Sequence, residues 1–330
     1  MNKRIIVGAV IIGRNEGQRL INCIESLKSD IQHIIYVDSG SSDNSLQEAL
    51  DRNVNCVSLD LNTPFTAARA RNAGAQYLVD KCPEIEFIQF IDGDCVVQAG
   101  WVDMAYQYLL DNVDYAVACG RRRERFPEHS IYNQLCDIEW NTPIGEAKSC
   151  GGDALIRVSA FTQVGGYNSV LIAGEEPEMC FRLREKGWKI VRLDSEMTLH
   201  DAAMTRVSQW WNRAKRAGFA YAHGYFLHGQ STEKYNYKAT KSILLWGGVF
   251  PLTIILLALL LTPFFLLLFC FYPLQIFRLS IKNISHNMSI INGVSYAVSN
   301  VCGKFPQFMG VMRFAKNHLL GRKSSLIEYK

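Results

Sequence analysis

The chain has 330 residues, 48% of them hydrophobic, and a formal net charge of +4 at pH 7. That length holds one sizeable catalytic domain with an appendage, or two small domains, and the charge is too mild for a nucleic-acid binder, which needs a concentrated basic stripe. Ten cysteines are scattered from Cys23 to Cys302 without C-x-x-C or Cys/His zinc spacing, so they read as reduced thiols and not as a disulfide scaffold.

Asn2-Lys3-Arg4 precede an apolar run at 5–12 that is short and β-branched, with no small-residue cleavage site behind it. It reads as a first strand and not a signal peptide. A helix follows over 16–28, a strand over 33–38, a helix over 45–52 and a strand over 54–59. The next elements are a helix over 66–81, a strand over 87–91, a helix over 99–112 and a strand over 115–119. Such alternation implies a mostly parallel sheet with helices on both faces. In sheets of that kind ligands sit at the carboxyl ends of the strands, so the polar residues after each strand are the candidates for chemistry.

Arg14-Asn15-Glu16 follow the first strand, and Asp38-Ser39-Gly40-Ser41-Ser42-Asp43 the second. Without a lysine the latter is no Walker loop. It is either ordinary turn chemistry before a helix, or a place where Asp38 accepts a hydrogen bond from a base or ribose. Arg69-Ala70-Arg71-Asn72-Ala73-Gly74 start a helix, and put two guanidiniums near one edge as phosphate binders or as a solvated face. After the strand at 87–91 come Asp92-Gly93-Asp94. Two carboxylates flanking a glycine repel unless a cation joins them, and hard divalent ions prefer oxygen. The pattern suits Mg²⁺ or Mn²⁺ holding a diphosphate, and an acidic surface turn is the plain alternative. Further on, Gly151-Gly152-Asp153 and Gly165-Gly166-Tyr167 let backbone lie close to a flat ligand. Gly174-Glu175-Glu176-Pro177-Glu178 open a helix over 179–186, as site acids or as capping electrostatics. Leu199-His200-Asp201 close another strand region, and His200 falls where a third metal ligand would be useful.

From 242 to 280 the chain has no acid and a single base, Arg278, with Pro251, Pro263 and Pro273 interrupting it. One helix of that length would run roughly 55 Å, against a hydrocarbon core of about 30 Å. Two crossings bent near Thr262-Pro263 fit better; a re-entrant segment is the alternative. Lys234, Lys238 and Lys241 precede it. Lys282, Lys304, Arg313, Lys316, Arg322, Lys323 and Lys330 follow, against the single acid Glu328. Both flanks are therefore expected to be cytoplasmic.

The ordered set Arg-Asn-Glu, Asp-Ser-Gly-Ser-Ser-Asp, Ala-Arg-Asn-Ala-Gly, Asp-Gly-Asp, Gly-Gly-Asp-Ala, Val-Gly-Gly-Tyr and Gly-Glu-Glu-Pro-Glu resembles family 2 glycosyltransferases over about residues 4–230. The resemblance implies an α/β fold of GT-A type. This is a Rossmann-like, mostly parallel sheet with helices on both faces, here followed by a C-terminal transmembrane hairpin and a basic tail. The expected divisions are 1–235 catalytic, 242–280 hairpin and 281–330 membrane-proximal tail.

It also implies inverting transfer from a nucleotide sugar, UDP-sugar by family habit, to a hydroxyl of a lipid-linked or nascent glycan acceptor. The cofactor would be Mn²⁺ or Mg²⁺, the partners would include membrane lipid but no nucleic acid, and a homo-oligomer is left open. The location would be the cytoplasm or the cytoplasmic face of an inner membrane. By the same resemblance Glu176 is the general base and Glu175 shapes the site. Asp38 binds base or ribose, and Asp92 the ribose side. Asp94 holds the metal, with His200 as an additional ligand. Arg14, Asn15, Glu16, Arg71 and Gly93 border the nucleotide, and Gly151, Gly152 and Asp153 border donor sugar and acceptor.

The sequence departs from the family at two points. Ser39 stands where a second aspartate is usual, and Glu175-Glu176 replaces Glu-Asp. Gln209-Trp210-Trp211 only loosely resembles the motif of processive synthases. Trp188, Trp210, Trp211, Tyr221 and Tyr225 are candidates to stack on an acceptor sugar, or packing residues. Two rival readings stand. An inactive membrane scaffold would have lost the acids that are present. A sugar-nucleotide nucleotidyltransferase would need a glycine-rich loop where Arg14-Asn15-Glu16 stand.

Overall fold

A computed structural model describes residues 7–322 and Ile327. The readings that rest on residues 1–6, Lys323, Glu328 and Lys330 lie outside the described residues. The chain divides into two compact units, Met1–Arg125 with Glu139–Ala202, and Phe126–Ile138 with Ala203–Lys330.

The first unit is an α/β sandwich. In chain order it contains β1 (Val7–Gly13), α1 (Gln18–Leu27), β2 (His33–Asp38), α2 (Ser45–Asp51), β3 (Asn55–Ser58), α3 (Ala67–Lys81), β4 (Phe87–Asp92), β5 (Cys95–Val97), α4 (Trp101–Asp111) and β6 (Tyr115–Glu124). Then α5 (Ile131–Trp140) runs mostly in the other unit, and β7 (Gly145–Glu146), β8 (Ala154–Arg157), α6 (Val158–Gln163), α7 (Glu175–Glu185) and β9 (Lys189–His200) complete the first. The strand order is β3-β2-β1-β4-β8-β6-β9-β5, with β7 beside β9. The expected parallel arrangement holds over β3-β2-β1-β4, whereas β8 joins β4 and β6 antiparallel. The sheet is therefore mixed, because β8 arrives from a loop and not from a crossover helix.

Local chemistry explains the elements. Leu20, Cys23, Ile24 and Leu27 give α1 one buried stripe. The Thr66 hydroxyl caps α3 by accepting from the Arg69 N–H at 3.2 Å. Buried β1 is a nearly unbroken apolar run, as a strand covered on both faces requires. The fully buried Trp101 donates from Nε1 to Gln89 Oε1 at 2.9 Å, which satisfies two polar groups inside the core.

Gly74 sets how closely α3 lies on the sheet. A Cβ there would fall onto Val10 and within 2.9 Å of Val37 Cγ2. Gly74→Ala is expected to cost about 1–3 kcal/mol by overpacking, read as a lower denaturant midpoint with unchanged slope. It should also disturb Arg71, one turn earlier on the same helix.

The strand expected at 115–119 continues to Glu124 through Arg121-Arg122-Arg123. Pairing with β9 sustains it, with register shifts around Arg121. Such irregularities re-aim side chains, and the Arg122 side chain is only 14% exposed.

The second unit is helical. It holds α8 (Val207–His228), α9 (Tyr237–Leu244), α10 (Phe250–Leu260), α11 (Phe271–Ser285), α12 (Ile290–Cys302) and α13 (Lys304–Leu319). Gly218 of α8 meets the Gln307 backbone, and Gly310 of α13 meets the Lys215 backbone, so two small residues let the helices touch. The sequence at 281–330 read as a tail; its described part is the end of α11 plus two packed helices.

Two continuous helical stretches, Tyr237–Leu260 and Pro263–Ser285, are long and apolar enough to cross a membrane by length and composition. They fit the expected hairpin, and the turn falls at Leu261-Thr262. Leu259 and Phe264 beside that turn are 79% and 76% exposed, which suits a lipid-facing tip.

Candidate active site

The acids foreseen at the strand ends converge on two guanidiniums. Arg71 of α3, 2% exposed, donates from Nη2 to Asp92 Oδ1 at 2.7 Å and from Nη1 to Glu175 Oε1 at 2.8 Å. One buried cation thus ties the end of β4 to the start of α7. Arg122 of β6 pairs with Asp153 Oδ2 at 2.8 Å and stands 3.6 Å from Asp92 Oδ2. Burial alone would raise the Asp92 carboxyl. Arg71 and then Arg122 outweigh it and hold the group below the ordinary range, so Asp92 is ionised at neutral pH.

Gly152 lies against this knot. A Cβ would come within 2.8 Å of Arg122 Nη2 and 2.9 Å of Asp92 Oδ2. Gly151 next to it has φ of 81° and open space where a side chain would go. Asp153 is fully buried. It accepts from the Asp92 N–H at 3.1 Å, Thr198 Oγ1 at 2.8 Å and Arg122 Nε at 3.0 Å. Its carboxylate is thus covered by Arg122 and Thr198, with no exposed surface.

Asp94 is carried by the tight turn between β4 and β5. The Gly93 N–H donates to the Ile12 carbonyl at 2.8 Å, and a Cβ on Gly93 would sit 3.2 Å from that oxygen. Because Cys95 pairs with His200 across β5 and β9, Asp94 Oδ1 comes 3.3 Å from His200 Nε2. The imidazole stands edge-on to Trp140 at 4.8 Å.

Asp92, Asp94, Cys95 and His200 each offer a donor atom within 4.8 Å of the others. This set fits a hard divalent ion at the Asp94–His200 end, with carboxylate oxygen and imidazole nitrogen. The Cys95 sulfur is a soft donor and so a poor ligand for such an ion. His200 Nδ1 is buried without a hydrogen-bond partner among the described residues. Trp140 therefore orients the ring in place of the usual outer hydrogen bond.

Glu176, 7% exposed in the first turn of α7, accepts from the Cys150 N–H at 2.5 Å and from the Cys180 thiol at 3.2 Å. Burial raises its pKa above the ordinary glutamate value of 4.5 although the Cys150 N–H opposes the shift. Two adjacent acids thus sit in different environments, Glu175 on a guanidinium and Glu176 in a dry pocket.

The remaining expected residues build loops around this centre. Asn15 Oδ1 accepts from the Ser42 N–H at 2.7 Å, and the Asn15 N–H donates to Ser41 Oγ at 2.9 Å. The Glu16 N–H donates to Ser45 Oγ at 3.1 Å, and the Glu16 carboxylate pairs with Arg19. Arg14 lies over the Phe65 ring at 4.7 Å. Asp38 accepts from Tyr36 Oη and from the N–H groups of Gly40 and Ser41, all at 3.0 Å. In this state that carboxylate organises its own turn.

Arg69 turns away from the site. It donates to the Thr63 and Pro64 carbonyls at 2.7 and 2.8 Å, so only one of the two arginines in that motif reaches the centre. Asn72 holds the Gly166-Tyr167 turn through the Tyr167 backbone. Among the aromatic candidates, Trp188 bonds Gln163, Trp210 bonds Ser299, and Trp211 remains 37% exposed. Sequence reasoning missed Arg122, Thr198 and the thiols Cys150 and Cys180. For Arg122 the signal was present as a run of three arginines directly after an apolar strand.

Residues 9–162 match the family model of glycosyl transferase family 2. Over that segment the chain is similar to family 2 glycosyltransferases. Among solved structures, a mannosyltransferase, PcManGT from Pyrobaculum calidifontis in complex with GDP-Man and Mn2+, aligns with TM-score 0.54 at 15% identity. The alignment covers 91% of this chain and 88% of that one, and shows a shared GT-A fold. TarS of S. aureus aligns with TM-score 0.49 at 11% identity over 74% of this chain, which spans 46% of the TarS chain. No curated protein sequence gives a significant match. The transferase is thus an enzyme that takes sugar from a nucleotide sugar, with an acidic group suited to a metal and two apolar helices compatible with a membrane anchor.

Proposed function

We propose that this transferase moves a sugar, with inversion, from a UDP-sugar to a hydroxyl of a lipid-linked or nascent glycan acceptor. Glu176 is its general base, and Asp94 with His200 seats Mn²⁺ or Mg²⁺. The observation that carries the reading is the buried link Asp92–Arg71–Glu175, which fixes the acidic turn after β4 against the first turn of α7. A diphosphate anchor and a proton acceptor are thereby held in one rigid frame.

When bound, the divalent ion would offset charge on the departing nucleoside diphosphate. Asp92 and Asp38 line the nucleoside side, with Arg14, Asn15, Glu16 and Gly93 shaping the rim. The open space at Gly151 leaves backbone beside the sugar. Glu176, with its raised pKa, takes the acceptor proton. Glu175 is neutralised by Arg71 and only shapes the site, which supports direct attack by the hydroxyl and not a covalent intermediate.

The division into catalytic portion (1–235), membrane hairpin (242–280) and membrane-proximal part (281–330) belongs to the same proposal. Lys234, Lys238 and Lys241 before the hairpin, and Lys282, Lys304, Arg313 and Lys316 after it, favour both flanks on the cytoplasmic side.

Nucleoside diphosphate release by detergent-purified protein tests the reading, across UDP-, GDP- and dTDP-sugars with Mn²⁺ or Mg²⁺, and with or without EDTA. Metal-dependent release from a UDP-sugar is the expected result. Release from a GDP-sugar alone would move the donor toward that of the mannosyltransferase of like fold. No metal-dependent binding of any donor would favour the scaffold reading.

A further inference from the structure

We propose that Cys150, Glu176 and Cys180 form a second metal site, selective for a thiophilic divalent ion of the zinc class and inhibitory when filled. The binding stands on geometry alone; the inhibition rests on Glu176 being the base.

All three residues are buried, and each offers one donor atom within 4.8 Å of the others. Cys150 Sγ and Cys180 Sγ are 3.7 Å apart. Two thiolates bound to zinc at ~2.3 Å in a tetrahedron stand roughly 3.8 Å apart, so this edge is already in place. Cys180 Sγ is 3.2 Å from Glu176 Oε1, against roughly 3.5 Å for a thiolate and a carboxylate oxygen on one such ion. The third edge, Cys150 Sγ to the Glu176 carboxylate, lies within 4.8 Å, so a side-chain adjustment that closes it completes three ligands, leaving a fourth position for water or an acceptor oxygen.

Chain geometry explains the match. Glu176 and Cys180 are four residues apart on one face of α7, so their side chains stack. Cys150 reaches them because its own N–H is held by Glu176. Beside Cys150, a Cβ on Gly151 would have nothing within 4 Å, so the backbone there leaves room for approach.

Two soft sulfurs select zinc or cadmium over Mg²⁺ and Mn²⁺, whereas the Asp94–His200 end, which offers oxygen and imidazole nitrogen, also accepts the harder ions. The contact with Cys180 and then burial push the Cys150 thiol well up; at Cys180 the Cys150 contact lowers the thiol, and burial with Glu176 nearby outweighs it, the Cys180 thiol donating to Glu176. Binding therefore releases two protons to solvent. The resulting cluster of a divalent ion, two thiolates and a carboxylate carries one net negative charge. The amino end of α7 and the field of Arg184, which favours the Cys180 thiolate, offset it. The cluster of His33, Cys82 and Glu84 lacks this arrangement. Cys82 Sγ contacts His33 Nδ1 at 3.4 Å while Glu84 contacts Nε2 at 3.6 Å, on opposite sides of the ring.

The test is Cd²⁺ titration of the full detergent-purified chain under saturating Mg²⁺, read by the ultraviolet thiolate-to-cadmium charge-transfer band. Expected is a band saturating at one equivalent in wild type and in Cys82→Ser, and at least 10-fold weaker in Cys150→Ser and Cys180→Ser. Thermal melting accompanies each variant, and Cys150→Ser alone decides if Cys180→Ser does not fold. A missing band, or one unchanged in Cys150→Ser, overturns the site. Zn²⁺ is expected to block nucleoside diphosphate release in wild type and to spare Cys150→Ser. A normal band without inhibition keeps the site and overturns the role of Glu176 instead.

Discussion

Glu176→Gln lowers kcat by about 10²–10⁴-fold, the usual worth of a positioned general base, while donor affinity stays near wild type. The amide oxygen still accepts from the Cys150 N–H, so the first turn of α7 keeps its shape. The pH profile supplies the second readout. The base works ionised, and burial raises its pKa above 4.5. The acid limb of kcat/KM should therefore lie above the normal glutamate range in wild type and vanish in the variant.

Stability moves oppositely with pH. Below 4.5 the carboxyl is protonated in both folded and unfolded chains and contributes nothing. As pH rises through the raised folded value, the folded chain must ionise a buried group that the unfolded chain has already ionised. Wild type loses stability across that window and the Gln variant does not. A variant with ordinary turnover, or a wild-type acid limb at the ordinary glutamate value, would remove Glu176 from the mechanism.

Asp94→Ala abolishes metal-dependent donor binding and turnover, with a loss in metal affinity beyond the ~10–100-fold typical of an outer-shell partner. The fold survives, because the Asp94 carboxylate is not one of the two that neutralise Arg71. Asp92→Asn is the informative contrast. Its charge faces both Arg71 and Arg122, so removing it leaves buried cations under-compensated and lowers stability. His200→Ala should weaken the metal less than Asp94→Ala, since the carboxylate remains. Isothermal titration with Mn²⁺ and a bound nucleoside diphosphate separates these outcomes. Equal Mn²⁺ affinity in wild type and Asp94→Ala would place the ion elsewhere.

Much of the frame was legible without coordinates. The alternation of apolar runs and amphipathic stretches specified β1 to β4 and α4, because strand and helix periodicities are local properties; the three-residue β5 was not foreseen. The acids at 175–178 stood directly before the helix expected over 179–186. The prolines near Thr262 and the absence of acids between 242 and 280 marked the bend and the two apolar helices. Asp92-Gly93-Asp94 pointed to the working end of the sheet, since a polar turn after a buried strand must lie at its carboxyl edge.

Other features came from contacts across the chain. Nothing near Arg69 and Arg71 distinguishes them; α3 turns one to the loop at 60–64 and the other into the acids. Asp153 read as a ligand-facing acid but is buried under Arg122, because β8 runs antiparallel between β4 and β6. Arg122 itself was hidden in a charged run that continued as strand only because β9 paired with it. Cys150 and Cys180 are thirty positions apart, and only the docking of α7 brings their sulfurs together. The sequence by itself determined where most elements of the first 120 residues and the apolar hairpin lie and which ends are polar, since those follow from periodicity and turn chemistry within a few residues. The tertiary structure alone decided which charges meet and which carboxylate is kept dry, because pairing and desolvation depend on groups far apart along the chain.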